Sequence, residues 1–223
     1  MELNDNLSKF AAVNFSGSGW VPSPSAGVER VMLERVNDGE TRATTVVKFQ
    51  PQSNFPHHIH TGGEEFLVLD GVFSDASGDF ERGFYVRNPI GSQHAPWSQT
   101  GSIIFVKLGQ IDPDDKDYVR LDTNGADWSH YPDQGIDTLQ LHRFGNECTQ
   151  LIQLKNGSTY TIDKAQSGLE IFLVMGQVKV EGKILKQRDW LRYPSSSQVE
   201  IIGLERSTLY IKTGHINHNA APQ

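Results

Sequence analysis

The chain repeats itself, and that repeat limits its architecture more than any single motif does. Displaced by 105 positions, TTVVKFQPQSNF (44–55) aligns with TQLIQLKNGSTY (149–160), and GGEEFLVLDG (62–71) with SGLEIFLVMG (167–176). The same displacement pairs YVRNPIGSQ (85–93) with WLRYPSSSQ (190–198), and IFVKLGQ (104–110) with LYIKTGH (209–215). A displacement of 108 then pairs GVERVMLER (27–35) with GIDTLQLHR (135–143), the difference falling in a short loop. Two tandem domains follow: residues 1–125, including a linker, and residues 126–223. The repeated blocks are short β-branched or aromatic runs such as Val46–Phe49, Phe66–Leu69 and Ile103–Val106, punctuated by Gly, Pro, Ser and Asn. The fold class is therefore all-β, a pair of sandwiches or barrels. The sole helical reading is one turn near Asn6–Ala11, and the stretch from DPDDKDY (112–118) through 124–135 reads as linker.

Composition removes several classes of function. A net charge of -7 repels phosphate backbones, so no nucleic-acid partner is expected. No apolar run approaches the ~20 residues of a membrane helix, and MELNDNLSKF lacks the basic start and apolar stretch of a signal peptide. No membrane association and a cytoplasmic location are the expectations. Cys148 is the only cysteine, which rules out an intrachain disulfide and a cysteine-based zinc finger. Any metal must be held by histidine and carboxylate.

Such a donor set is present in the first copy, in FPHHIHTGGEEFLVLDG. Side chains two apart on a strand share a face, so His58 and His60 project together and Glu64 keeps their parity after the Thr-Gly-Gly turn. His57 and Glu65 face away. His94 follows in NPIGSQHAPW, where Pro89 and Gly91 favour a tight turn and a strand that supplies a fourth donor from across the cavity. Imidazoles with a carboxylate suit a first-row divalent ion.

These residues resemble the two motifs of the cupin superfamily. The first, His-x-His, Glu and Gly, is met by His58, His60, Glu64 and Gly71; the second is met by Gly83, Pro89, Gly91 and His94. Gln52 replaces the Gly that usually opens the first motif, which its repeat mate Gly157 keeps, and Ser98 replaces the Asn that closes the second. The resemblance implies a bicupin, two double-stranded β-helix (jelly-roll) barrels. Residues 62–97 are further similar to the cupin domain of ChrR-type anti-sigma factors. That likeness implies zinc at His58, His60, Glu64 and His94, and a part in sensing oxidative stress such as singlet oxygen. ChrR proteins grip their sigma factor through a helical zinc-binding domain before the cupin. About 25 residues precede the first repeat block here, without the helical length or the His and Cys ligands, so sigma-factor binding by that route is not expected.

In the second copy the four donor positions become Asp163, Ala165, Leu169 and Val199, which cannot hold a divalent ion against water. Its interior is expected to be filled or lined by side chains, as a scaffold. Other residues carry plainer readings. His130, His142, His215 and His218 read as surface or core histidines, and Cys148 as a buried small residue. Trp97, Phe66 and Tyr85 are candidates to line a pocket, with packing favoured for Phe66. Glu65 recurs as Glu170, Arg87 as Arg192 and Gln93 as Gln198, so these read as structural ion pairs or edge hydrogen bonds.

The leading functional expectation is a zinc-binding, ChrR-like bicupin with a sensory or regulatory role, answering to reactive oxygen species or a small-molecule ligand and acting on a protein partner. The alternative is a dioxygenase or isomerase using Fe(II) or Mn(II), with nickel also compatible, on a small diketone, enol or phenolic substrate. A sugar- or seed-storage-like binding module is a third, plainer option. Exposed barrel edges suggest a homodimer.

Overall fold

The duplication becomes two all-β units in the computed structural model, which describes residues 2–37, 42–165 and 167–216. One unit comprises residues 1–5 and 19–126, the other residues 6–18 and 127–223. The main sheet of the first runs Val119–Asp122, Phe84–Asn88, Glu64–Asp75, Ser102–Leu108, Arg42–Phe49, Val28–Val36, Val21–Pro22. That of the second runs Ala11–Val13, Trp190–Tyr193, Leu169–Met175, Ser207–Thr213, Glu147–Leu154, Ile136–Phe144, Ser129–Tyr131. Each strand of one order is the repeat mate of the strand at the same place in the other. Even the bulges recur: the register shift between Met32 and Glu34 returns between Gln140 and His142. A bulge re-aims every side chain beyond it, so its retention preserves which residues face inward.

Smaller strands close each jelly roll. In the second unit Thr159–Ala165, Ser196–Gly203, Gln177–Val180 and Lys183–Lys186 form a four-stranded sheet. In the first, Gly78–Glu81 folds back on Glu64–Asp75, Trp97–Ser98 pairs with Ser53–Asn54, and Gln93–His94 pairs with His58–Ile59. The first core is aromatic, centred on Phe49, Phe66, Phe73 and Phe80. The second is aliphatic and includes Ile152, Leu169, Ile171, Leu173, Val199 and Ile211.

Two expectations for local structure change. Residues 6–10 form a turn in which Asn6 Oδ1 accepts from the Ser8 amide (3.0 Å), followed by the strand Ala11–Val13; among the described residues the named helix is a 3-10 turn at Phe15–Gly17. An Asn side chain that bonds to the backbone two residues on favours a turn over a helix. The stretch read as linker contains Val119–Asp122 and Ser129–Tyr131, both sheet members. The first pairs with Phe84–Asn88, and its mate Ala11–Val13 pairs in the same register with Trp190–Tyr193. The segment preceding each repeat thus supplies the edge strand of the other unit's main sheet.

Gly71, the last residue of the first motif, has φ +67°, and a Cβ there would stand 2.0 Å from the Gly101 carbonyl oxygen. Only glycine fits that turn. Gln52 holds φ +61° where its mate Gly157 has +81°, so this departure from the motif keeps the glycine backbone and bears its strain.

The polar residues shared by both copies are buried. Glu65 Oε2 accepts from Tyr85 Oη (2.8 Å) and Arg87 Nη1 (2.7 Å), and Arg87 also donates to Asp115. In the second unit Glu170 Oε1 accepts from Trp190 Nε1 (2.6 Å), and Arg192 donates to the Asn6 carbonyl (2.9 Å). Gln198 instead makes an exposed bond to Asp163.

Candidate metal centre

His58, His60, Glu64 and His94 come together from three segments of the first unit. His94 lies directly opposite His58 in the short ladder of Gln93–His94 with His58–Ile59. Glu64 opens the strand Glu64–Asp75 after the turn at Gly62–Gly63, where φ of +75° at Gly63 lets the chain reverse beside Ile111. One donor atom from each of the four lies within 4.8 Å of every other. His60, Glu64 and His94 are buried, and His58 is half-buried at the solvent side.

Each imidazole is oriented from behind. His58 Nδ1 is 2.9 Å from the Pro56 carbonyl oxygen, His60 Nδ1 is 3.0 Å from Ser92 Oγ, and His94 Nδ1 is 2.9 Å from Asp75 Oδ2. A carbonyl and a carboxylate only accept, so His58 and His94 carry their proton on Nδ1 and turn a bare Nε2 inward. Glu64 is held by Asn88 Nδ2, 3.0 Å from its Oε2.

The inner atoms are arranged as donors around one centre. His58 Nε2 and His60 Nε2 are 3.1 Å apart, and Glu64 Oε2 is 3.5 Å from His60 Nε2 and 3.7 Å from His94 Nε2. Ligands at about 2.0–2.1 Å from a divalent ion stand roughly 3.0–3.4 Å from one another. His94 Nε2 is buried with no hydrogen-bond partner, an atom that needs an electrophile. Burial, the largest effect, pushes the His58 and His60 imidazoles below their ordinary pKa, with His94 acting in the same sense. Below-normal values keep both rings neutral and able to ligate at neutral pH. Burial alone would raise Asp75, yet its bonds to His94 and Ser77 hold it down at about 2. The donor set fits a divalent metal, and these residues can hold one.

The equivalent positions of the second unit do not converge in this way. Ala165, Leu169 and Val199 belong to its apolar core, and Asp163 is exposed. The expected filled interior is what the fold has. Of the pocket candidates, Phe66 packs against Phe73 and Phe80, Tyr85 is fully buried on Glu65, and Trp97 points outward while Ser98 takes the inward place. His142 and His215 are buried, His130 is exposed on Asp137, and His218 lies outside the described residues. Cys148 is half-buried, and its burial pushes the thiol up.

The outer residues Asp75, Asn88, Ser92 and Arg120, whose Nη2 donates to Asn88 Oδ1 (2.6 Å), were not singled out by motif. Comparison of the copies could have found three of them: Asp75, Asn88 and Arg120 have Val180, Tyr193 and Ala12 as mates. Ser92 has a serine mate, Ser197, and gives no such signal.

Two jelly-roll barrels from one duplication, with a His3Glu cluster inside one of them, define a bicupin. The chain belongs to the ChrR cupin-like domain family, whose model matches residues 8–112 and again 116–217. Solved structures agree in fold. The bacterial pirin YhhW from Escherichia coli, in complex with nickel(II), is 13% identical with a TM-score of 0.71, covering 94% of this chain and 100% of that one. Ylba from E. coli is 15% identical with a TM-score of 0.70 (95% and 93% covered). A Bacillus subtilis oxalate decarboxylase with Mn(II) centres is 10% identical with a TM-score of 0.64 (94% and 78% covered). A comparison with curated proteins finds no match. Among the described residues no helix is long and apolar enough to cross a membrane.

Proposed function

We propose that this bicupin holds one zinc ion through His58, His60, Glu64 and His94 and uses that centre in a sensory or regulatory role. The observation that carries the reading is the pre-oriented donor set: rings fixed on Nδ1, with His94 Nε2 left buried and unpartnered. A full set of four protein donors holds zinc without redox chemistry, and membership of the ChrR cupin-like family supports a responsive rather than a turnover role. The half-exposed His58 is the point at which a reactive oxygen species or a small ligand reaches the centre. A protein partner would read the resulting change.

The second reading is an Fe(II)- or Mn(II)-dependent dioxygenase or isomerase, favoured by the same open side and by metal-bearing bicupins of the same fold, with nickel in pirin and Mn(II) in oxalate decarboxylase. There Glu64, anchored by Asn88, would move a proton at its Oε2 while the metal polarises a bound substrate oxygen. Metal analysis of protein from unsupplemented medium, paired with oxygen-uptake assays on diketones and dihydroxyphenyl compounds, separates the two. Zinc near one per chain, with the iron-loaded form inert, is the expected result. Bound iron or manganese with oxygen consumption would overturn the sensory reading.

A further inference from the structure

We propose that Arg120 docks a carboxylate of a small organic anion whose other oxygen reaches the metal position, an inference that rests on the metal-binding reading above. Arg120 lies on Val119–Asp122, directly opposite Val86. Directly paired residues of an antiparallel ladder point to the same face, and Val86 faces the barrel core. Arg120 therefore projects on the interior face, yet it is exposed to solvent.

Its guanidinium is held in place. Nη1 donates to the carbonyls of Arg87 (3.0 Å) and Val119 (2.8 Å), and Nη2 donates to Asn88 Oδ1 (2.6 Å). The ring of Phe80 lies 5.6 Å from Cζ and that of Tyr118 5.9 Å. Asn88 in turn bonds Glu64, so the guanidinium stands two hydrogen bonds from a proposed metal donor. These contacts use three of its five N–H groups, and the others are open to a ligand.

Comparison of the copies ties this charge to the site and not to the fold. Three buried structural charges are retained: Glu65 and Glu170, Arg87 and Arg192, Lys107 and Lys212. Three of the four positions around the donors change together, with Arg120 becoming Ala12, Asn88 becoming Tyr193 and Asp75 becoming Val180, while Ser92 keeps a serine mate. Ala12 occupies the same register, opposite Leu191, so the strand forms without the arginine. Charge balance points the same way. A dication would be neutralised by Glu64 and Asp75, and Arg120 leaves one positive charge over. Asp75 and Glu64 are the carboxylates that act on Arg120 electrostatically, against a burial that lowers its pKa. A carboxylate against the guanidinium cancels the excess.

The test uses the full chain loaded with Co(II), whose visible bands shift when a ligand enters the coordination sphere, titrated with succinate and with succinamate. Succinamate keeps the size and one carboxylate but replaces the second with a neutral amide. Wild-type protein is expected to bind succinate about 10-fold more tightly or better, as a charge-assisted hydrogen bond implies. Arg120→Gln should narrow that gap to about twofold while Co(II) stoichiometry and melting temperature stay as in wild type. An unchanged gap in Arg120→Gln, or no band shift with either probe in wild type, would overturn the docking role and leave the metal reading standing. Failure to take up Co(II) at all would overturn both, and is visible before any probe is added. Should Arg120→Gln not fold, Arg120→Lys decides. Loss of the planar fork predicts roughly threefold weaker succinate binding, and equal affinity rejects the proposal.

Discussion

Leaving the buried Nε2 of His94 without a partner costs about 1–3 kcal/mol, and Asp75 fixes the ring in that state by accepting from Nδ1. A cost of that size persists where something outside the chain repays it, and a divalent ion bound by Nε2 would do so. Asp75 sits on the same strand as Glu64, eleven residues on, so one strand delivers a donor and the residue that orients another. Asp75→Asn removes the charge but keeps the shape. It should weaken metal binding by about 10–100-fold in chelator competition while leaving the fold intact. Unchanged affinity would mean that Asp75 serves only the turn it makes with Ser77. The convergence of the four candidate donors was legible in the sequence because strand parity and two motifs bring them together. Their supporting residues were less so. The bonds His60–Ser92, His94–Asp75 and Glu64–Asn88 join positions 19 to 32 apart, and no local pattern announces such a pairing.

Among the elements, the two short edge strands carry the least sequence signal and the most topological weight. Ala11–Val13 is three residues long, and Val119–Asp122 four, within a stretch whose acidic and glycine-rich surroundings read as linker. A strand this short has no measurable periodicity, so only its partner reveals it. The longer strands were visible because their apolar runs recur in the second copy at fixed spacing. Ala11–Val13 is tied to the second unit by its ladder, by the Phe15 amide donating to Asp189 Oδ1 (2.8 Å), and by the Phe10 ring packed at a tilt against Tyr193. Deleting residues 6–18 should open the Trp190–Tyr193 edge and remove an acceptor of Arg192. A loss of roughly 2–3 kcal/mol would lower the melting temperature by about 5–10 °C. Metal content should be unaffected, because no donor lies in the deleted segment. An unchanged melting temperature in calorimetry would contradict the exchanged-strand arrangement.

For the molecule as a whole, duplication allowed the two barrels to diverge in what they enclose. Both keep the strand order, the bulges and the buried Glu–Arg positions. One then fills its interior with Leu169, Val199 and their neighbours, and the other holds a polar cluster above an aromatic floor. An apolar interior has nothing to offer an ion, while a buried cluster of three imidazoles and a carboxylate can hold one. This asymmetry was legible in the sequence, since the four donor positions differ between copies amid otherwise matching strands. The chemistry of the ligand was not, because it depends on Arg120, a residue of the exchanged strand. Metal content measured by mass spectrometry for wild type, His60→Ala and Ala165→Ser, purified side by side, tests the placement of the centre most directly. About one divalent ion per chain is expected in wild type and in Ala165→Ser, and near zero in His60→Ala, whose central imidazole is gone. Equal loss in both variants, or none in His60→Ala, would contradict the placement of the site in the first barrel.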